Sequence, residues 1–409
     1  MRKTIAIILA AVTLFSCFVG CGTTPQVEEV GNNLYEMTCT ANDYWENDVD
    51  IEYTGAMCSG VQNGTIRGRN LDWYLDDNPT IVVHVPRLES SGKTRYASVS
   101  VADLSCAKAK DESIALNNTQ YMPLYSVDGM NENGVVIQVN VITATGVDVP
   151  ETTPGYFKGA YVPRLVLDYG ETIEQIEDML SGIAIDPAYG YYELHWMISA
   201  YDKNHNYVTE VVEVLSDGIH FIRDFEGDVP VMTNFCISTF DGTAESTGFD
   251  AGYERWQILV ENADKATDKL QMSQLMKKVY YSNFYSNFEA PYWYSENAGI
   301  DLAPYLSDDQ IEYLTDTYGT TCYCAQMWGD ESLEPLVQAI VADAEDPVAD
   351  GKTEWITKHT AIYDASDLSL RVITREGSVF DFVEFGIAAD EDKTTSDRSS
   401  LACGFSLGA

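Results

Sequence analysis

The sequence predicts a layered α+β fold, and three observations favour this class. Strand-like runs fill the first half of the chain, helical patterns follow, and strand-like runs return near the end, an order typical of α+β domains. The run Val135–Ile142, apolar at six of its eight positions, is typical of a central buried strand. The 409 residues, of which 45% are hydrophobic, can form a sizeable core as one large domain or two small ones.

The first twenty residues predict a targeting segment, with Arg2 and Lys3 ahead of an apolar run that is too short to span a bilayer. Leu14-Phe15-Ser16-Cys17 resembles a bacterial lipobox, and Val19-Gly20-Cys21 is a second candidate. The leucine three residues before Cys17 favours Cys17, while Gly20 keeps Cys21 open. We therefore expect an exported lipoprotein of the bacterial cell surface or envelope, in contact with the membrane only through its lipid. A plain secretory signal is the alternative.

Residues 21–57 form an acidic block without a basic residue. Gly22–Asn33 is predicted to be a tether and Leu34–Thr38 a strand. Tyr44, Trp45 and Tyr53 are costly residues for a flexible linker. They favour a pro-segment that covers the residues after it, with a linker as the alternative.

Strands and helices follow in an order that the sequence patterns predict. Thr172 with Gln175 is a capping-box pattern that starts a second helix within Tyr161–Leu180. The predicted strands are Thr80–Val85, Tyr96–Leu104, Val135–Ile142, Tyr192–Tyr201, Val208–Val214, Gly218–Arg223, Trp355–Tyr363 and Ser369–Arg375. The predicted helices lie in Tyr161–Leu180, Tyr253–Ala266, two stretches of 271–319 around the aromatic loop Tyr280–Tyr294, and Ser332–Ala344, and a polar tail ends the chain at 391–409.

The charge of the chain excludes some partners. Its 24 basic and 64 acidic residues give a formal net charge of −40. Such a surface repels nucleic-acid phosphates and anionic lipid headgroups, so neither is an expected partner. It suits a soluble, exposed protein and indicates neither a substrate nor an oligomeric state. The nine cysteines show no zinc-binding spacing, and we expect no metal or cofactor.

The stretch Cys58–Trp73 carries the chemistry. Its flanking runs can pair around a turn at Gln62-Asn63-Gly64, which brings Arg69 and Asp72 back towards Cys58. An arginine beside a thiol lowers the pKa of the thiol. If the chain were cut after Met57, the new α-amino group, with a pKa of roughly 7.7 to 8, could act as general base for its own thiol. Asp72 would then orient or balance the amine. The alternative is a buried structural cysteine beside a polar turn.

Cys58-Ser59-Gly60 followed by Gly68-Arg69-Asn70-Leu71-Asp72-Trp73 resembles the choloylglycine hydrolase, penicillin V acylase and acid-ceramidase-like family of N-terminal-nucleophile cysteine hydrolases. The resemblance covers about Leu34 to Phe385 and implies a four-layer αββα sandwich, here over residues 58–390. It also implies that Cys58 is freed by removal of the preceding residues. The enzyme would then hydrolyse a linear, non-peptide amide bond of a small N-acyl substrate.

The resemblance implies further site residues. Asp128–Gly134 resembles the family's Gly-Met-Asn-Glu turn, and the strand after it would place a polar residue near the oxyanion. By register that position is Val141, so Asn140, one residue away, is the candidate. Thr233-Asn234 matches the family's oxyanion asparagine, and Tyr253–Trp256 resembles a helix start that brings Arg255 to the nucleophile.

Two other functions compete with this hypothesis. One is a papain-like thiol hydrolase with His195 as the base for Cys58, although Leu194 and Trp196 favour a packed sheet histidine. The other is a non-catalytic surface lipoprotein that binds a ligand or partner through the aromatic loop. Only the N-terminal-nucleophile hypothesis requires a mature chain that begins at Cys58. The sequence does not indicate which acyl amide is cleaved.

Overall fold

Two β-sheets lie at the centre of the fold, and one of them contains the hairpin that follows Cys58. Helices cover the outer face of each sheet. The computed structural model describes residues 27–39, 44–45, 58–74, 79–90, 93–103, 119–142, 156–189, 192–247, 250–280, 300–301, 307–318, 322–323, 355–374, 379 and 381–387. The targeting segment with Cys17 and Cys21, the Met57–Cys58 bond, most of the aromatic loop, the helix expected at Ser332–Ala344 and the polar tail lie outside these residues. Within them, no helix is long and apolar enough to cross a membrane.

The strands follow one another along the described chain. They are β1 (Val27–Gly31), β2 (Leu34–Thr38), β3 (Ser59–Asn63), β4 (Ile66–Tyr74), β5 (Thr80–Val85), β6 (Leu88–Ser90), β7 (Lys93–Arg95), β8 (Ser98–Asp103), β9 (Ser126–Asn131), β10 (Val136–Ile142), β11 (Phe157–Lys158), β12 (Ile185–Asp186), β13 (Ala188–Tyr189), β14 (Tyr192–Tyr201), β15 (Tyr207–Leu215), β16 (Gly218–Ile222), β17 (Val231–Met232), β18 (Ile300–Asp301), β19 (Cys322–Tyr323), β20 (Trp355–Asp364), β21 (Ser369–Thr374) and β22 (Val383–Gly386).

The helices lie between these strands. They are α1 (Val162–Tyr169), α2 (Ile173–Ser181), α3 (Asp250–Asn262), α4 (Lys269–Lys277) and α5 (Asp308–Tyr318). The pattern over Tyr161–Leu180 gives two helices because Gly170 ends α1 in extended backbone. A Cβ there would lie 2.5 Å from the carbonyl oxygen of Val166. Thr172 caps α2 as predicted, accepting a hydrogen bond from the main-chain N–H of Gln175.

Most of the described strands belong to a large sheet and a smaller one. The large sheet has ten strands in the order β1-β2-β5-β8-β9-β10-β14-β15-β16, with β13 paired to β14. The smaller sheet has six, in the order β17-β3-β4-β20-β21-β22. The apolar run predicted to be a central strand is β10, which pairs with β9 and β14 and is buried along its whole length.

Apolar side chains join these elements into four layers. Between the two sheets lie residues of both, including Val99 and Val136 of the large sheet and Tyr363 and Val372 of the smaller one. Helices α1 and α2 pack on the other face of the large sheet. Helices α3 and α4 pack on the other face of the smaller sheet, against Val61 and neighbouring residues. This packing is the αββα sandwich that the resemblance implied.

The acidic block before Cys58 corrects one expectation. Val27–Gly31, assigned to a tether, forms strand β1 and pairs with β2. Strand β2, predicted at Leu34–Thr38, pairs in parallel with β5 of the large sheet. The block therefore supplies two strands to the sandwich, because Leu34 and Met37 place apolar side chains in its core.

Candidate active site

Cys58 lies immediately before β3, and its side chain is 2% exposed. The hairpin of β3 and β4 forms as predicted, but its two-residue turn is Gly64–Thr65, one step later than expected. Gly64 has a φ of 56°, a conformation that glycine adopts without strain. A narrow cleft between the sheets is lined by Cys58, Arg69, Leu71, Val139, Asn140, Val141 and Leu194.

The thiol of Cys58 contacts one guanidinium group. Nη2 of Arg69 lies 3.6 Å from Sγ. Burial raises the pKa of the Cys58 thiol, Arg69 opposes this, and Asp72 adds to it. The arginine therefore lowers the thiol pKa as expected, but in the uncleaved chain burial outweighs it.

Arg69 is itself held by residues that the sequence did not single out. Its Nε lies 3.1 Å from Oδ2 of Asp128, and its Nη1 lies 3.5 Å from Nε2 of His359. The hydroxyl of Tyr363 donates a hydrogen bond to Asp128. Burial alone would raise the pKa of Asp128, but Arg69 and the contacts of His359 and Tyr363 with the carboxylate bring it below its usual range. The charged carboxylate fixes the guanidinium beside the thiol.

Asp72 lies on the opposite face of β4, towards α3. Arg255 of α3 bridges this carboxylate and the nucleophile, because its Nη1 lies 3.3 Å from Oδ2 of Asp72 and 3.0 Å from the carbonyl oxygen of Cys58. The hydroxyl of Thr357 donates a hydrogen bond to Oδ1 of Asp72. Burial raises the pKa of Asp72 to about 7, although Arg255, Thr357 and Arg69 oppose it. Arg255 thus joins Asp72 to the main chain of Cys58.

A β-bulge in β20 allows this strand to contact Asp72 on one face of the sheet and Arg69 on the other. Thr357 pairs with Asp72 and His359 with Leu71, so Lys358 is an extra residue in β20. Residues two apart on a regular strand share a face, but one inserted residue puts Thr357 and His359 on opposite faces. Thr357 therefore reaches Asp72, while His359 reaches Arg69.

Asn234 follows β17 at the edge of the cleft. Its Oδ1 accepts a hydrogen bond of 2.7 Å from Nη2 of Arg255, and its Nδ2 donates one of 2.7 Å to the carbonyl oxygen of Val141. An arginine can only donate, so the amide oxygen faces Arg255 and the amide nitrogen faces the cleft-lining strand β10. This is the orientation that a donor to an oxyanion in the cleft requires.

The contacts of Asn140 differ from those expected for a residue beside the oxyanion. Its Nδ2 donates to the carbonyl oxygens of Met232, at 3.3 Å, and Thr233, at 3.0 Å. Its Oδ1 accepts from Gln138. Asn140 lines the cleft, but its amide joins β10 to the segment that carries Asn234. Gln138 also packs on Gly60, where a Cβ would lie 2.2 Å from the glutamine amide.

His195 is not the base for Cys58. The chain has five histidines, and all of them lie in the part that the structure describes. None of them hydrogen-bonds to the thiol. The ring nitrogens of His195 lie 3.3 Å from Oε1 of Glu213 and 3.0 Å from the carbonyl oxygen of Thr233. The structure therefore contradicts the papain-like hypothesis.

Tyr44 and Trp45 pack into the sandwich. The Tyr44 hydroxyl and Trp45 Nε1 both donate to the carboxylate of Asp168, at 2.6 and 2.8 Å. The guanidinium groups of Arg95 and Arg164 lie 5.0 and 5.9 Å from the centre of the Tyr44 ring. These contacts hold Tyr44 and Trp45 against α1 and β7. Among the described residues, no group of three or more His, Cys, Asp or Glu side chains could hold a metal ion.

Solved structures similar to this chain include two kinds of enzyme. A mutant and a variant of conjugated bile acid hydrolase from Clostridium perfringens have 15% and 14% sequence identity and a TM-score of 0.37 each, covering 78% of this chain and 89% of theirs. Penicillin V acylase from Agrobacterium tumefaciens has 16% identity and a TM-score of 0.34, covering 78% of this chain and 82% of its own. Both kinds are members of the family that the sequence resembles. No family model and no curated protein matches the chain.

Proposed function

We propose that this protein hydrolyses a linear, non-peptide amide bond of an N-acyl substrate, with Cys58 as an N-terminal nucleophile. The observation that carries the proposal is the arrangement of charge around one residue. Arg69 contacts the thiol of Cys58, while Arg255 joins the carbonyl oxygen of Cys58 to the carboxylate of Asp72. A cysteine without a histidine needs another base, and its own freed α-amino group can supply one.

The residues have distinct roles in this mechanism. The freed α-amino group of Cys58 takes the thiol proton, and Sγ attacks the substrate carbonyl carbon. Asn234 donates a hydrogen bond to the oxyanion, and loss of such a donor typically costs on the order of a hundredfold in rate. The C–N bond breaks as the ammonium protonates the leaving amine. Water then hydrolyses the thioester, with the same amine as base.

The first test is the mature N-terminus. We expect mass spectrometry of purified protein to find a chain that begins at Cys58, and Cys58→Ala to remain uncut and without amide turnover. A panel of N-acyl substrates (conjugated bile acids, penicillin V, N-acyl amino acids, acyl-homoserine lactones and fatty amides) assayed for amine release would identify the acyl group. A Cys58→Ala protein that is still cut in a protease-free preparation would mean that another agent cleaves. Turnover by that variant would refute the nucleophile.

The proposal includes export as a lipoprotein with its lipid on Cys17 or Cys21. Cleavage before Cys58 would separate the enzyme from that anchor unless the preceding segment stayed bound. The pairing of β2 with β5 and the burial of Tyr44 support continued association. The non-catalytic lipoprotein remains the rival, and it requires no cut at Cys58.

We expect the fragment that ends at Met57 to co-purify with the Cys58-started chain. Tyr44→Ala combined with Trp45→Ala should weaken this association, because it removes the hydrogen bonds to Asp168. Size-exclusion chromatography after cleavage measures it. The exposed Tyr313→Ala is the control and should have no effect. A Cys58-started chain that elutes free of the fragment in unmodified protein would contradict the expectation.

A further inference from the structure

His195 and Glu213 form a fully buried pair close to the candidate site, although neither touches Cys58. A carbonyl oxygen only accepts hydrogen bonds, so Nε2 of His195 donates to Thr233, 3.0 Å away. Nδ1 of the same ring faces Oε1 of Glu213 at 3.3 Å. Both ring nitrogens therefore face oxygen atoms, one of a main-chain carbonyl and one of a carboxylate.

Glu213 collects hydrogen bonds from a second stretch of chain. Its carboxylate accepts from the main-chain N–H groups of Ile237, at 2.7 Å, and Ser238, at 2.9 Å. The Ser238 hydroxyl donates to it at 2.6 Å and the Cys236 thiol at 3.0 Å. Burial opposes ionisation, yet His195 and these donors lower the pKa of Glu213 to about 2. Burial and the same contact with Glu213 raise the pKa of Cys236 to about 12.

The pair therefore holds both ends of one short segment. His195 binds the carbonyl of Thr233, and Glu213 binds residues 236–238. Between these points lies Asn234, whose amide is held between Arg255 and the carbonyl of Val141. A shift of either end would move the amide away from the cleft, and a displacement of about 1 Å can cost on the order of a hundredfold in rate.

We propose that His195 and Glu213 are positioning residues that hold the Thr233–Ser238 segment so that Asn234 faces the cleft beside Cys58. This inference rests on the proposed function. It assigns a role to the histidine that the sequence offered as a base. The pair acts through Asn234 and does not touch the reacting atoms.

The first variant is Glu213→Gln, which removes the negative charge. Its amide NH2 can only donate, so it would face the donors of residues 236–238 without a hydrogen bond. We expect kcat of the mature enzyme to fall by about tenfold to a hundredfold, with KM nearly unchanged, because Asn234 would act on the transition state. The rate of Cys58 alkylation by iodoacetamide should not change, because Arg69 is untouched. Glu210→Gln is the matched control, a buried glutamate of the same strand on its opposite face, bound to Arg223. It should leave kcat unchanged.

A double-mutant cycle with Asn234→Ala decides between positioning and a general loss of structure. The substrate is the N-acyl amide that the unmodified enzyme cleaves fastest in the panel above. We expect Glu213→Gln to cost little further rate once Asn234 is alanine. If Glu213→Gln lowers kcat by the same factor in both backgrounds, the inference is wrong. If Glu213→Gln does not fold, Ser238→Ala removes a single donor from Glu213 and replaces it in the cycle.

Failure of the proposed function would look different. Turnover by Cys58→Ala would refute the nucleophile and the proposed function together. Full turnover by Asn234→Ala, with none by Cys58→Ala, would leave the nucleophile intact but refute both the role of Asn234 and the positioning by His195 and Glu213.

Discussion

The two faces of β4 beside Cys58 carry opposite kinds of control. The face towards the large sheet places a cation, Arg69, at the thiol and holds it with Asp128. The face towards α3 places a carboxylate, Asp72, near the main chain of Cys58 and joins it there through Arg255. Arg69 and Asp72 are three residues apart, an odd spacing that puts side chains on opposite faces of a strand. Arg69 therefore acts mainly on the charge of the thiol, and Asp72 mainly on the main chain of Cys58.

Asp72→Asn should produce the largest difference between the effects on turnover and on thiol alkylation. The freed amine would lose the carboxylate that orients it and raises its pKa, so turnover should fall by roughly two orders of magnitude, equivalent to about 3 kcal/mol in the barrier. The rate of thiol alkylation against pH should change far less. Both are measured on already cleaved protein, with iodoacetamide and with amine release. Equal losses in both assays would mean that the faces are not independent.

Arg69→Ala should produce the converse pattern. The guanidinium lowers the pKa of the Cys58 thiol, so without it the thiolate forms only at higher pH. We expect the alkylation profile to move to higher pH by about one unit, which is about tenfold in alkylation rate near neutral pH. Arg67→Ala, on the same face but bound to Gln62 and Met197, is the comparison and should leave the profile in place. An unchanged profile for Arg69→Ala would reduce Arg69 to a structural role.

Thr357→Val should give the smallest effect and the most selective one. It removes the hydrogen bond to Asp72, a loss of about 1 kcal/mol or about fivefold in turnover. Thr360→Val is the matched control, because its hydroxyl donates to Asn70 from the same strand towards the same face. Thermal unfolding should show similar destabilisation in both variants, while only Thr357→Val slows turnover. Equal slowing by both would assign the loss to stability alone.

Much of this fold is predictable because its signals are local. The run Val136–Ile142 is apolar except for Gln138 and Asn140, and much of Tyr192–Tyr201 alternates, so both strands are as predicted. The hairpin after Cys58 is also local, since Gly64 fixes its turn. The four layers follow from the packing of these elements, and the family resemblance predicted them. Arg255 and Asn234 were predicted through that resemblance.

The remaining site residues depend on pairings between distant parts of the chain. A bulge at Lys358 has no signature of its own, so the sequence could not assign Thr357 and His359 to opposite faces. Asp128 stands at the start of a quoted motif, but its partner Arg69 comes from another sheet. The sequence signal that could have identified Asp128 was its position, since a carboxylate in a buried strand needs a partner. Val27–Gly31 was missed because acidic residues on an edge strand look like those of a tether.

The strands before Cys58 bear on how the mature protein would refold. Strands β1 and β2 precede the proposed cut, yet β2 is hydrogen-bonded into the large sheet along its length. The intact chain folds with these strands tethered, whereas the cut protein must recover them from a separate fragment. Its refolding would then depend on concentration, as it does for any two-chain assembly. Before the cut, stability would be set by a reversible folding equilibrium. After it, the persistence of the folded protein would be set by the rate of unfolding.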